Sequence, residues 1–172
     1  MARTRTALLL IDFQEWIVRD LVAEGGREAA RAAVTAAERV RAGGGLVVHV
    51  QYLHSDVSDG GPGSAESRFL DDIDLRPGDP VVTKHGRSAF EQTDLDAVLA
   101  REAIGRIVLT GVVTEGGVEA TAHSGLDRGY QVEVLPEAVA GATPDGHLEA
   151  LGRMRDAGVD LIGPEPRPVD RG

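Results

Sequence analysis

The chain has 172 residues, 42% of them hydrophobic and 27% charged, which suits one globular domain with its own core and argues against a disordered segment or a pair of full domains. Its net charge of −10 argues against electrostatic binding to nucleic acid or an anionic membrane. It contains no Cys, which excludes disulfides, zinc–thiolate sites and a thiolate nucleophile.

Residues 6–12 (TALLLID) form a continuous apolar run, the pattern of a strand buried on both faces of a parallel sheet. The run follows a basic start. It is short, contains Asp12 and lacks a small-residue cleavage pattern, so it reads as a first strand rather than a signal peptide. No apolar run approaches the roughly 20 residues of a membrane span, and a cytoplasmic protein is expected.

Residues 21–42 carry Val22, Ala29, Ala30, Ala33, Val34, Ala37 and Val40 at helical spacing, and Gly43-Gly44-Gly45 closes that helix. Residues 46–51 (LVVHVQ) read as a second strand. The stretch 54–80 is a long polar loop with at most a short helical turn over 64–70, and a loop of that length in a compact domain is usually functional or disordered. Further strands are read at 80–84, 106–112, 131–137 and 159–163. Further helices are read at 93–103, with Thr93 as N-cap, and at 115–128 and 145–157. The alternation predicts an α/β fold of three layers (α/β/α, Rossmann-like) around a parallel six-stranded sheet. It forms a single domain over residues 1–165, with a Pro-rich tail over 166–172 that is read as frayed.

Ligands in such sheets bind at the carboxyl ends of the strands. Those ends carry Asp12, Gln51, Lys84 with His85, and the run Gly111 to Gly117. A carboxylate at the sheet edge needs a partner or a shifted pKa, and Lys84 is the natural partner for Asp12; a structural ion pair is the competing reading. His49 lies inside a strand and reads as packed or hydrogen-bonded, while His123 and His147 read as surface or packing residues of helices. His54, Asp56 and Asp59 match no metal-binding spacing, so no metal is expected. The first strand leads into FQEWIV rather than a Gly-rich phosphate loop, so no nucleotide cofactor is expected, and there is no G-x-S-x-G elbow.

The segments ALLLIDFQEWIV, VVTKHGRSAF, IVLTGVVTEGGVEATAHSGLDRGYQVEVLPEAVA and HLEAL resemble, in order and spacing, the isochorismatase-like hydrolases, from Ala7 to Ile162. Most members of that family are amidases with an Asp–Lys–Cys triad, and the resemblance puts the Asp at Asp12 and the Lys at Lys84. The Cys belongs to a G-V-x-T-x-x-C-V pattern that here reads Gly111-Val112-Val113-Thr114-Glu115-Gly116-Gly117-Val118, so Gly117 stands at the nucleophile's position. A cis peptide is implied between Val112 and Val113. Amide hydrolysis in this family runs through a thioacyl intermediate, which glycine cannot form.

The resemblance extends to a Cys-less branch, the isochorismatases of phenazine and siderophore biosynthesis, which hydrolyse a vinyl ether by acid catalysis. It implies Asp12 as general acid, Lys84 as support and Gly117 as the vacated position. It implies substrate contacts from Gln51, Phe13, Trp16, Arg87, Val113, Glu115 and Gly116. It also implies a small-molecule substrate and a homodimer or larger homo-oligomer. Glu115 can equally be an added acid or the first-turn acid of a helix. This chain departs from that branch in its shorter loops, in the segment after Gln51, and in its few basic residues for a dicarboxylate: Lys84, Arg87 and Arg68. Three readings stay open: a hydrolase of ethers, ketals or glycosidic acetals, a non-catalytic binding or scaffold protein, and an isomerase or lyase.

Overall fold

In the computed structural model, which describes residues 4–56, 58 and 60–163, six parallel strands make one sheet in the order β3-β2-β1-β4-β5-β6. The strands are β1 (Arg5–Ile11), β2 (Leu46–Tyr52), β3 (Val81–Lys84), β4 (Ile104–Val112), β5 (Gln131–Ala140) and β6 (Asp160–Leu161). The helices are α1 (Glu15–Leu21), α2 (Gly26–Ala42), α3 (Leu95–Arg101), α4 (Glu119–Asp127) and α5 (Pro144–Ala157). The tail over 166–172 lies outside the described residues.

β1 lies inside the sheet, and its apolar run serves two cores. Ala7, Leu9 and Ile11 pack with Leu99 of α3, Ala122 of α4 and Leu151 of α5. Leu8 and Leu10 face the other way, onto Ile17 of α1 and the stripe Ala29, Ala30, Ala33 and Ala37 of α2. Period-2 alternation thus divides one strand between the two faces. The alanine stripe fills the helix–sheet contact where aromatic residues are scarce.

The strand order also locates the site. The chain runs outward through β1, β2 and β3, then returns to pair β4 on the other side of β1, with Ile11 in register with Gly111. The crevice between the carboxyl ends of β1 and β4 is therefore the topological switch point, where α/β sheets take ligands. Gly111 permits the close approach: its φ is 144°, and a Cβ there would stand 2.3 Å from the Ile11 carbonyl oxygen.

Several boundaries differ from the sequence reading. The helix expected over 21–42 begins only at Gly26, because Gly25 before it has a left-handed φ of 77°. α1 was not foreseen, because its seven residues are too few to show a period. The helix expected over 115–128 begins as a π-helical turn, Thr114–Val118, with Gly116 at φ −108° and ψ −110°. Asp94 rather than Thr93 holds the N-cap position of α3, although Thr93 Oγ1 accepts the Leu95 N–H at 3.3 Å. β5 continues past Pro136 to Ala140 through a register irregularity, the place where a strand tolerates proline. Over 64–70 the chain makes turns rather than a helix, and Phe69 bridges to Gln14.

The loop is pinned at both ends. The fully buried Gln14 donates from Nε2 to the Tyr52 and Glu66 carbonyls, each at 2.9 Å, and accepts the Tyr52 N–H at 2.7 Å. Near residue 79, His49 Nε2 lies 3.2 Å from Asp79 Oδ2, which also takes Arg41. His49 is thus a hydrogen-bonded strand residue, and burial lowers its pKa.

Candidate active site

At the switch point lies a cavity of about 530 Å³ lined by Asp12, Trp16, Ile17, Leu21, Tyr52, His54, Lys84, His85, Gly86, Arg87, Val112, Val113, Gly116 and Gly117. Of the residues proposed from sequence, the structure brings together Asp12, Trp16, Lys84, Arg87, Val113, Gly116 and Gly117. The Val112–Val113 peptide is cis, as the resemblance implies.

Asp12 follows the last residue of β1 with a φ of 59° and is 5% exposed. Its Oδ2 lies 2.9 Å from Lys84 Nζ, and its Oδ1 is buried with no hydrogen-bond partner among the described residues. Burial raises its pKa to about 6, and the charge and hydrogen bond of Lys84 act in the lowering direction. Lys84, at the end of β3, is 2% exposed. Besides Asp12, its Nζ donates to the Gly86 carbonyl at 3.2 Å and lies 5.0 Å from the centroid of the Tyr52 ring. The cation is thus held by a carboxylate, a carbonyl and a ring face.

Gly117 faces this pair. A Cβ built on it would stand 2.9 Å from Asp12 Oδ2 and 3.3 Å from Lys84 Nζ. No nucleophilic side chain occupies the position. Thr114 is fully buried, and its hydroxyl lies 2.8 Å from His147 Nδ1. His147 is therefore tied to the motif that holds the site rather than being a surface residue, and burial lowers its pKa.

Three proposed contacts do not reach the cavity. Phe13 is fully buried in the core under α1 and α2. Gln51 donates from Nε2 to Thr83 Oγ1 at 2.7 Å, because successive strand residues point to opposite faces; its neighbour Tyr52, in register with Lys84, lines the cavity instead. Glu115 turns its carboxylate away: Oε1 accepts the N–H groups of Ala142 at 2.9 Å and Thr143 at 3.2 Å. It meets the site only through its backbone carbonyl, which takes Arg87 Nη2 at 2.7 Å. Arg68 is absent from the lining as well.

The sequence reading missed Tyr52, Ile17 and Leu21, named His85 only as a strand-end residue and weighed His54 only as a metal ligand. Tyr52 was findable from its place at the end of β2. Ile17 and Leu21 depend on α1, whose existence the pattern did not signal. His54 stacks with Trp16 at 6.3 Å between ring centroids, and His85 Nδ1 is 2.7 Å from the Leu53 carbonyl. Asp56 receives the Ser58 N–H at 3.0 Å, and Asp59 lies outside the described residues. Among the described residues, no group of three or more His, Asp or Glu side chains could hold a metal ion. Among the same residues, no helix is long and apolar enough to cross a membrane.

A parallel α/β sheet with a buried Asp–Lys pair at its switch point defines a class, and comparison with known proteins identifies it. Residues 6–165 match the isochorismatase domain, and the chain belongs to the isochorismatase family of hydrolases. It is 32% identical over 161 residues to the isochorismatase family protein YwoC of Bacillus subtilis, covering 86% of this chain and 84% of that one. It is 28% identical over 161 residues to a maleamate amidohydrolase of Pseudomonas putida, covering 83% of this chain and 76% of that one. Among solved structures, an isochorismatase family protein from Burkholderia thailandensis superimposes with a TM-score of 0.80 at 32% identity, covering 91% of this chain and 90% of that one.

Proposed function

We propose that this protein is a cysteine-free hydrolase that cleaves an acid-labile C–O bond, with Asp12 as the general acid. The observation that carries this reading is the asymmetry of the Asp12 carboxyl: Oδ2 is held by Lys84, while Oδ1 is buried and unpartnered among the described residues. A proton on this group belongs on Oδ1, since Oδ2 already accepts from the ammonium. With the carboxyl raised to about 6, part of the population is protonated near neutral pH. Gly117 removes the thioacyl route of the family's amidases.

On a vinyl ether, Asp12 Oδ1 gives its proton to the terminal enol carbon, which leaves an oxocarbenium ion. Water adds to the carbon bearing the oxygen. The resulting hemiacetal or hemiketal breaks to an alcohol and a carbonyl compound, and Asp12 recovers a proton from the added water. On a glycosidic acetal, the same proton goes to the leaving oxygen. After the transfer the carboxylate remains beside Lys84, so the step ends in an ion pair rather than an isolated buried charge.

The test is hydrolysis of isochorismate, read as pyruvate, and of phenyl vinyl ether, read as phenol, by wild type and Asp12→Asn. Turnover of either compound that falls at least about 100-fold in the variant supports the reading. Undiminished turnover in the variant removes Asp12 as the acid, and no turnover of either compound by wild type removes vinyl ethers as the substrate.

A further inference from the structure

Much of the cavity lining is apolar, and its two permanent cations, Lys84 and Arg87, are both already hydrogen-bonded. Lys84 is engaged by Asp12 and the Gly86 carbonyl. When Asp12 is protonated, that carbonyl and the face of the Tyr52 ring still hold the ammonium. The exposed Arg87 directs Nη2 to the Glu115 carbonyl. The lining also holds Trp16, Ile17, Leu21 and Tyr52, with the His54 ring against those of Trp16 and Tyr52. Leu21, at 45% exposure, is one of few large apolar side chains left open to water. The Trp16 and Tyr52 rings are 6.4 Å apart at 48°.

A flat apolar ring laid against these two side chains buries area on both and needs no counter-charge. A dicarboxylate would lose the hydration of two anions against one buried cation, Lys84, and one exposed cation, Arg87, on a chain whose net charge is −10. We propose that the substrate is an uncharged ring compound, an aryl or cycloalkenyl enol ether or acetal seated on Trp16 and Tyr52, and not a dicarboxylate. The bond named here rests on the reading of Asp12 as acid; the seat for the ring does not.

Trp16 is the one Trp of the chain, so its fluorescence reports occupancy without turnover. Two probes separate the alternatives: phenyl vinyl ether, and 3-(1-carboxyethenyloxy)benzoate, an aryl vinyl ether with two carboxylates. The expected result is a Kd for phenyl vinyl ether at least about tenfold below that of the dicarboxylate. Leu21→Lys, a change at an exposed position, should narrow the gap by strengthening the dicarboxylate. Equal or tighter binding of the dicarboxylate by wild type overturns the proposal, and so does the absence of any response to the neutral ether. Preferential binding of the neutral ether without phenol release would leave the ring seat standing and remove the aryl vinyl ether as the bond that is cleaved.

Discussion

Gly117 and Asp12 are matched: a Cβ at 117 would lie 2.9 Å from Asp12 Oδ2, closer than such contacts allow, while Oδ2 sits 2.9 Å from Lys84. A side chain at 117 requires the Asp12 carboxylate to give way by a few tenths of an ångström. Gly117→Ala should therefore shift the carboxylate slightly and lower kcat/KM by roughly 10-fold, less than the about 100-fold of a 1 Å misplacement, with the thermal melt little changed. Gly117→Cys should show the same loss and no amide hydrolysis unless the pocket also fits an amide. Full activity in Gly117→Ala would show that the pocket accepts a Cβ at 117 without disturbing the reaction.

In the proposed mechanism the acid form of Asp12 is the active form, so kcat/KM should be level below pH about 6 and fall above it, by about tenfold per pH unit. The sign for stability follows from the same shift. The folded carboxyl holds its proton more tightly than the ordinary 3.8, so its contribution is full below 3.8 and is lost as pH rises through about 6. A pH–rate profile with no falling limb near 6 would contradict the assignment.

Much of this was legible in the sequence because buried parallel strands appear as apolar runs, and the residues that end them are polar for a reason. Asp12 and Lys84 were placed that way, together with the sheet that brings them to one edge, whereas Gly117 was singled out by the family resemblance. The chain position of a residue did not reveal its face. Gln51 and Tyr52 both end β2, and which of them looks into the cavity depends on the pleat and on the pairing of Tyr52 with Lys84. Glu115 is beside the site in sequence, yet the backbone N–H groups of Ala142 and Thr143 draw its carboxylate away. Those donors lie 27 and 28 residues further along the chain, beyond the reach of any local pattern.

Lys84 lowers the Asp12 pKa through its charge and its hydrogen bond, against the larger effect of burial. Lys84→Met removes both lowering influences. The falling limb should move to higher pH by roughly 1–3 pH units. Plateau activity should drop at the same time, by about 10- to 100-fold, because the carboxylate left after proton transfer loses its partner. A limb that stays near 6 in this variant would show that the limb belongs to another group.

Glu115 is a structural acid in this arrangement. Its Oε1 joins the π-helical turn to the backbone at Ala142 and Thr143, where Thr143 Oγ1 caps α5 by accepting the Gly146 N–H at 3.0 Å. Glu115→Ala should lower stability by about 1–2 kcal/mol in urea unfolding, the cost of leaving such donors unmet. Glu115→Gln keeps an acceptor oxygen and should cost less. Arg87 is held by the Glu115 backbone carbonyl, which both variants retain. Neither should therefore move the falling limb of the pH–rate profile. A limb displaced in Glu115→Gln, with stability preserved, would instead make Glu115 a second acid of the reaction.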